Sequence, residues 1–289
     1  MTTDNKFFNK KRLLLYLKGM AMGAADTVPG VSGGTIAFIT NIYEELIFSI
    51  QACNVNALKI LYANGPKAGW QAINGNFLLT LFAGIISSAI LFANFVSYLL
   101  DNYEAHVMSF FIGLILASSL YIKKQITHWN FQRTLVFFAG ILLAVLLNFI
   151  PQNETQVNLL FIFFSGAIAI CAMILPGISG AFILLLLGAY EHVLNAVRNI
   201  DLLILLPFIA GCVIGLIGFS KLLAYLLKHW RDQTLIFLLG VLIGSLYSMW
   251  PEELNTDSFS FSFFIVFILL VLLGFLLVYF LEKQAQPIE

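Results

Sequence analysis

Two short runs combine residues suited to holding an anion: Pro29-Gly30-Val31-Ser32-Gly33-Gly34-Thr35 and Pro176-Gly177-Ile178-Ser179-Gly180-Ala181. Proline removes a backbone donor and clashes with the preceding turn, and the neighbouring glycines let the chain bend, so neither run continues a helix. A helix that restarts just past the break presents free N–H groups and its positive dipole end to whatever lies in front of it. Glycine admits a ligand close to the backbone, and Ser32, Thr35 and Ser179 add hydroxyl donors. Phosphate is the natural guest of such an arrangement. A tight, closely packed helix break would use the same residues; the recurrence of the pattern favours a ligand.

That recurrence extends beyond the motif. At an offset of 147 residues, Pro29, Gly30, Ser32, Gly33, Ile36, Tyr43 and Glu44 match Pro176, Gly177, Ser179, Gly180, Ile183, Tyr190 and Glu191 without a gap. At an offset of 127, Ala83-Gly84, Phe92, Tyr98-Leu99-Leu100, Gly113 and Ser118 match Ala210-Gly211, Phe219, Tyr225-Leu226-Leu227, Gly240 and Ser245. The offsets differ because the first half carries a longer connector, Gln51 to Asn76, polar in patches and suited to a surface loop or an interfacial helix. The chain therefore divides into repeats at 1–152 and 153–289.

The charged residues near the motifs admit more than one role. Asp26 precedes the first motif and has Met173 as its partner position. It either binds a coupling proton or sodium ion or accepts hydrogen bonds from the tip. Glu44 and Glu191, each after a tyrosine (Tyr43, Tyr190), either gate or hold a cation or are solvated helix ends. Arg198 and Lys221 could attract a phosphate, and Lys221 could equally snorkel to the interface. His106, His128, His192 and His229 lack metal-ligand spacing, and Cys53, Cys171 and Cys212 form no C-x-x-C pair. No metal, cofactor or disulfide is expected.

The elements that must position these residues are membrane helices. Of 289 residues, 60% are hydrophobic and 10% charged, with a mean hydropathy of +0.93, so the chain is expected to be solvated by lipid. Net charge is zero and no basic block is long enough to follow a nucleic-acid backbone, which argues against that partner. The basic N-terminus resembles a secretory signal, but its apolar run breaks at Lys18-Gly19, so it is expected to remain. Six apolar runs, at about 77–100, 107–122, 135–150, 203–227, 235–250 and 262–281, read as spans. The four tryptophans sit at the edges of runs. The stretches 13–50 and 159–194 each read as two half-helices joined at the motif.

Charge decides how those broken stretches lie. If each enters and leaves by one face, Lys59, Lys67, Lys123, Lys124, Arg133, Lys228 and Arg231 fall in the cytoplasm. Asp101, Glu104, Glu154, Glu252, Glu253 and Asp257 then lie outside, with Arg198 as their basic neighbour. If both crossed instead, the basic residues would divide between the faces, which the positive-inside rule rejects. Three crossings per half orient the copies oppositely. The expected fold is thus an all-α integral membrane protein of two inverted repeats, each a re-entrant hairpin plus three transmembrane helices, with both termini cytoplasmic.

Gly23-Ala24-Ala25-Asp26-Thr27-Val28-Pro29-Gly30-Val31-Ser32-Gly33-Gly34-Thr35 and Leu175-Pro176-Gly177-Ile178-Ser179-Gly180 resemble the bacterial polyprenyl-phosphate transporter family, long catalogued only as a domain of unknown function. The resemblance covers nearly the whole chain, and its first motif is the more specific. It implies movement of undecaprenyl phosphate, the lipid carrier of cell-wall precursors, from the outer to the inner leaflet of the cytoplasmic membrane, with the bilayer and a lipid phosphate as partners. It gives the phosphate-binding role to Thr27, Pro29, Gly30, Ser32, Gly33, Gly34 and Thr35 and to Pro176, Gly177, Ser179, Gly180 and Ala181. An enzyme is not expected. The undecaprenyl-diphosphate phosphatases share a Pro-Gly-x-Ser tip that continues into an arginine, whereas here Gly33 and Gly180 follow, so the cation that would stabilise a phosphoryl transition state is missing. A small-anion carrier or channel would use the same helix ends without a lateral opening for a lipid.

Overall fold

Lipid cannot hydrogen-bond a peptide group, so a chain this apolar must satisfy its backbone internally, and its described residues do so with helices. The computed structural model describes residues 2–26, 32–149, 158–251, 254 and 261–285. In chain order the helices are α1 (Thr2–Asp26), α2 (Gly33–Ile39), α3 (Tyr43–Ala52), α4 (Val55–Asn64), α5 (Pro66–Ala72), α6 (Gly75–Gln125) and α7 (Phe131–Leu147). There follow α8 (Leu159–Ile174), α9 (Gly180–Leu187), α10 (Tyr190–Asn199), α11 (Leu202–His229), α12 (Arg231–Gly244) with a 3-10 turn at Ser245–Tyr247, and α13 (Phe261–Ala285). Several starts are capped by the polar residue before the apolar run: Asn130 accepts from Arg133 N at 2.9 Å, Asn158 from Phe161 N at 2.7 Å and Asp201 from Leu203 N at 3.0 Å.

Helix α6 has 51 residues and would reach about 75 Å if straight. Its two ends are nevertheless neighbours. Asn74, before it, donates to Glu45 Oε1 at 3.0 Å, while Gln125, its last residue, accepts from Arg231, which pairs with Glu44. The run therefore doubles back, and it does so at Tyr103, whose φ of −141° and ψ of 33° are not helical. The apolar runs at 77–100 and 107–122 lie in the two limbs of α6. The end of the molecule where these contacts lie, with Lys123, Lys124, Arg133 and Arg231, is called the basic end below.

Backbones touch where glycines face one another. Gly19 of α1 meets Gly84 of the first limb of α6, and Gly166 of α8 meets the Phe208 carbonyl of α11, 2.5 Å from a Cβ built on it. These contacts occupy matching positions, since Gly19 and Gly84 lie 147 and 127 residues before Gly166 and Gly211. Helix α1 runs in the same direction as its α6 limb, away from the basic end, and α8 runs with α11 towards it. Gly140 of α7 packs on Gly240 of α12, and Gly113 of the second α6 limb packs on α13 beside Val271. The last helix of each sequence half thus packs on the other half.

Among the described residues, three helical segments, Asn102–Gln125, Leu202–His229 and Phe261–Phe280, are long and apolar enough to cross a membrane, or up to five counting two sharply bent pairs. Exposed Phe138, Leu142, Leu203, Leu206, Leu269 and Leu273 form an apolar exterior that water would not tolerate. Helix α12 is different. Leu235, Ile236, Leu238, Leu239, Val241 and Leu242 are all buried, so its 14 residues are solvated by protein and need not match the bilayer. The runs read as spans at 235–250 and 135–150 fall in helices at 231–244, followed by one tight turn, and at 131–147.

The broken stretches differ from expectation by a second break in each. Helix α2 ends before Asn41 (φ 58°) and α9 at Gly188 (φ 72°), left-handed residues that stop a helix and lie 147 positions apart. Each stretch is therefore three pieces rather than two, and α10 turns 114° from α9. The connector after α3 carries α4 and α5.

A valine at Gly211 would drive its branched side chain into the Phe163 backbone and should destabilise the fold by about 1–3 kcal/mol. Gly218→Ala, into open space, should leave the thermal unfolding midpoint in detergent unchanged or slightly raised.

Candidate functional site

The two motifs meet. Ser32 adopts an extended conformation (φ −123°, ψ 139°), which lets its Oγ accept from Gly34 N at 3.0 Å and cap α2. The same hydroxyl donates to the Met173 carbonyl of α8 at 2.7 Å. In the reverse sense, Gly177 N donates to Thr35 Oγ1 at 2.8 Å. Ser32 and Thr35 are fully buried, and Gly34 lies so near α8 that a Cβ there would sit 2.6 Å from the Ile174 carbonyl oxygen. Each motif thus satisfies backbone groups that the other's helix break leaves open.

Asp26 completes the first tip. Its Oδ1 accepts from Gly33 N at 2.6 Å, so an internal carboxylate occupies the place at the start of α2 where an external anion would sit. Asp26 therefore accepts a hydrogen bond from the tip, one of the two roles its position offers. Thr27, Pro29 and Gly30 lie outside the described residues.

The second tip is open. Pro176 is buried and Gly177 takes a φ of +85°, which only glycine adopts at no cost. Ser179 begins α9 in an extended conformation, but its side chain makes no capping bond. Gly180 approaches the Ala169 carbonyl, and Ala181 is exposed. Gly177 and Ser179 line a cavity of about 170 Å³ whose other polar walls are Glu104, Asn148, Ser245 and Ser248. These come from the fold of α6 at Tyr103, the end of α7 and the turn after α12, away from the basic end. The cavity holds an uncapped helix start, hydroxyls and one carboxylate, and it is large enough for a phosphoryl group with water.

At the basic end, Arg231 Nη2 pairs with Glu44 Oε1 at 2.8 Å, and Arg133 pairs with Asp232 at 2.9 Å. Glu44 is therefore ion-paired, whereas Glu191, its match, is exposed, and Tyr43 is buried where Tyr190 is half-buried. Lys221 is exposed on α11, and Arg198 lies in α10. Lys221 does not line the cavity at the second tip. Sequence reading missed Asn148, Ser248, Gln125 and Arg231 as site residues and counted Glu104 only as an outer charge. The signal for two of them was present, because Glu104 and Arg231 lie 127 residues apart and so occupy matching places. Among the described residues, no group of His, Cys, Asp and Glu could hold a metal ion.

A helical chain with several apolar spans, an apolar exterior and two motifs joined at its centre is a multi-pass membrane protein. A family model described as "VCA0040-like: Undecaprenyl phosphate translocase-like" matches residues 22–263. The chain belongs to that undecaprenyl phosphate translocase-like family. It is 49% identical over 239 residues to a polyprenyl-phosphate transporter of Vibrio cholerae, covering 83% of this chain and 78% of the relative. It is 30% identical over 253 residues to a polyprenyl-phosphate transporter of Staphylococcus aureus, covering 81% and 85%. No solved structure matches.

Thr35→Val keeps the shape of the side chain and removes the acceptor for Gly177 N, leaving a buried donor unpaired. Stability should fall by about 1–3 kcal/mol, with the Gly177 amide losing hydrogen-exchange protection. Wild-type stability and protection in this variant would show that the bond between the tips contributes nothing.

Proposed function

We propose that the protein is a flippase that returns undecaprenyl phosphate from the outer to the inner leaflet of the bacterial cytoplasmic membrane, recycling the carrier for peptidoglycan synthesis. The carrying observation is the uncapped start of α9 at Ser179, which faces a polar cavity, while the matched start of α2 is closed by Ser32 and Asp26. The tips cradle the phosphate, and the prenyl chain remains in lipid along the apolar exterior. Both relatives carry the name polyprenyl-phosphate transporter, which supports this cargo.

Two inverted repeats, 1–152 and 153–289, supply the alternation. The matched glycine contacts, and the opposite senses in which α1 and α8 run, support this reading. The positive-inside rule puts the basic end and both termini in the cytoplasm, so the cavity at Ser179 opens outward and the described state is outward-facing. Rocking of the halves would open the first tip inward. Two anions cannot share the start of α2, so phosphate reaching Gly33 requires that Asp26 be neutralised by a proton or sodium ion, and this couples transport to a gradient. Hydrolysis gains no support, since glycine stands where the phosphatases place arginine.

The test is leaflet-to-leaflet movement of undecaprenyl phosphate in proteoliposomes under proton and sodium gradients. Ser32→Ala/Ser179→Ala should lose most movement, and Asp26→Asn should lose its gradient dependence while remaining folded. A wild type that moves no lipid under any gradient overturns the proposal, and phosphate release from the lipid diphosphate would replace it with an enzyme.

A further inference from the structure

At the basic end, a groove of about 460 Å³ lies between the second limb of α6 and α13. The two helices run in the same direction. Gly113 touches Val271 and Gly274 touches Phe110, and one and two turns further on Ala117 with Phe275 and Tyr121 with Tyr279 line the groove. Glycine lets the backbones meet at the first of these levels. Beyond it, the rings of Tyr121, Phe275 and Tyr279 are too bulky for the same approach, and a groove is left with the small, buried Ala117 in its wall.

The groove opens to lipid. Both helices are long and apolar enough to cross a membrane, and Leu120 in the groove wall is exposed, as are Leu116 on α6 and Leu272 and Leu276 on α13. A groove in that exterior is filled by lipid, and its charge selects which lipid. Its apolar part leads to Lys123 and Lys124 in the last turn of α6. Among the described residues, neither lysine side chain is in an ion pair, whereas Arg133 and Arg231 at the same end are each paired with a carboxylate. Glu282 and Lys283, in the last turns of α13, add no net charge. The groove is also one-sided: 127 positions after Lys123 and Lys124 stand Trp250 and Pro251, so the matched positions carry no cation.

We infer that this groove binds an anionic glycerophospholipid of the leaflet at the basic end, its phosphate at Lys123 and Lys124 and an acyl chain along Ala117, Leu120 and Phe275. Basic pockets between membrane helices recognise anionic headgroups in this way, and the lysine stems add apolar contact while their ammonium groups reach headgroup level. The α6 limb belongs to the first half of the chain and α13 to the second, so the lipid bridges the halves and stabilises their packing. The inference goes beyond the transport reading and does not rest on it, since it requires only that these two helices span the bilayer.

The experiment follows thermal unfolding of the full chain in an uncharged detergent as dioctanoyl phosphatidylglycerol is added, with dioctanoyl phosphatidylcholine, farnesyl phosphate and inorganic phosphate in parallel. Phosphatidylglycerol should raise the unfolding temperature saturably and phosphatidylcholine should not. Lys123→Gln and Lys124→Gln should each weaken the apparent affinity about fivefold, and the pair about twentyfold or more, while Lys123→Arg/Lys124→Arg retains it. Without lipid, the glutamine variants should unfold at the wild-type temperature, because both lysines are exposed. Lys228→Gln, exposed near the end of α11 and outside the groove, should leave the affinity unchanged. Equal weakening by Lys228→Gln would show diffuse attraction to a basic surface and overturn the site. So would unchanged affinity in the Lys123→Gln/Lys124→Gln pair, equal stabilisation by phosphatidylcholine, or the full effect from inorganic phosphate alone. Lysine-dependent stabilisation by farnesyl phosphate with none by phosphatidylglycerol would overturn the phospholipid and make the groove a site for a prenyl phosphate.

Discussion

A peptide group that lipid surrounds must find its partner within the protein, and the architecture follows from how this chain meets that demand at two helix breaks. Ser32 reaches the carbonyl of Met173, and Gly177 reaches the hydroxyl of Thr35, so neither tip is satisfied without the other. The breaks can approach because the surrounding helices are held close by glycine. Gly19, Gly84, Gly166 and Gly211 bring α1 and α8 against their partner helices, and Gly34 brings the start of α2 against the end of α8. Helix α12, enclosed on nearly all sides, contributes the turn at Ser245 that closes over Gly177.

Much of this was legible in the residues. Proline and glycine at fixed places announce a break, and a repeated motif announces a second, so the paired tips could be placed before any coordinates. The fold-back of α6 was legible as two apolar runs around a polar interval. The second break in each stretch was harder to see, because one of its residues is asparagine rather than glycine and because left-handed backbone at Asn41 leaves no hydrophobic signature. Hardest were the residues that only packing assembles. Glu104, Asn148 and Ser248 come from α6, the end of α7 and the turn after α12, which share a cavity at one end, and Tyr43, Gln125 and Arg231 come from three helices that share one at the other. Periodicity along a single helix carries no information about such meetings, although the offset of 127 between Glu104 and Arg231 marked them as matched positions.

The two tips share a backbone pattern and differ in charge. At the first, a carboxylate already fills the helix start; at the second, the helix start is uncapped and the carboxylate of Glu104 lines the opposite wall. On the transport reading proposed above, a backbone pattern shared by the two tips would make two end states comparable in energy, and their unequal charge would let a gradient bias the exchange.

The central claim is that the two tips serve one phosphate from opposite faces in turn. Single cysteines at positions 32 and 179, in a chain with Cys53, Cys171 and Cys212 replaced, can be labelled from either side of an oriented membrane with an impermeant thiol reagent. The account predicts that Ser179→Cys reacts from outside only and is protected by undecaprenyl phosphate, and that Ser32→Cys reacts from inside only, and only while lipid is being moved. Reaction of both positions from the same side would contradict it.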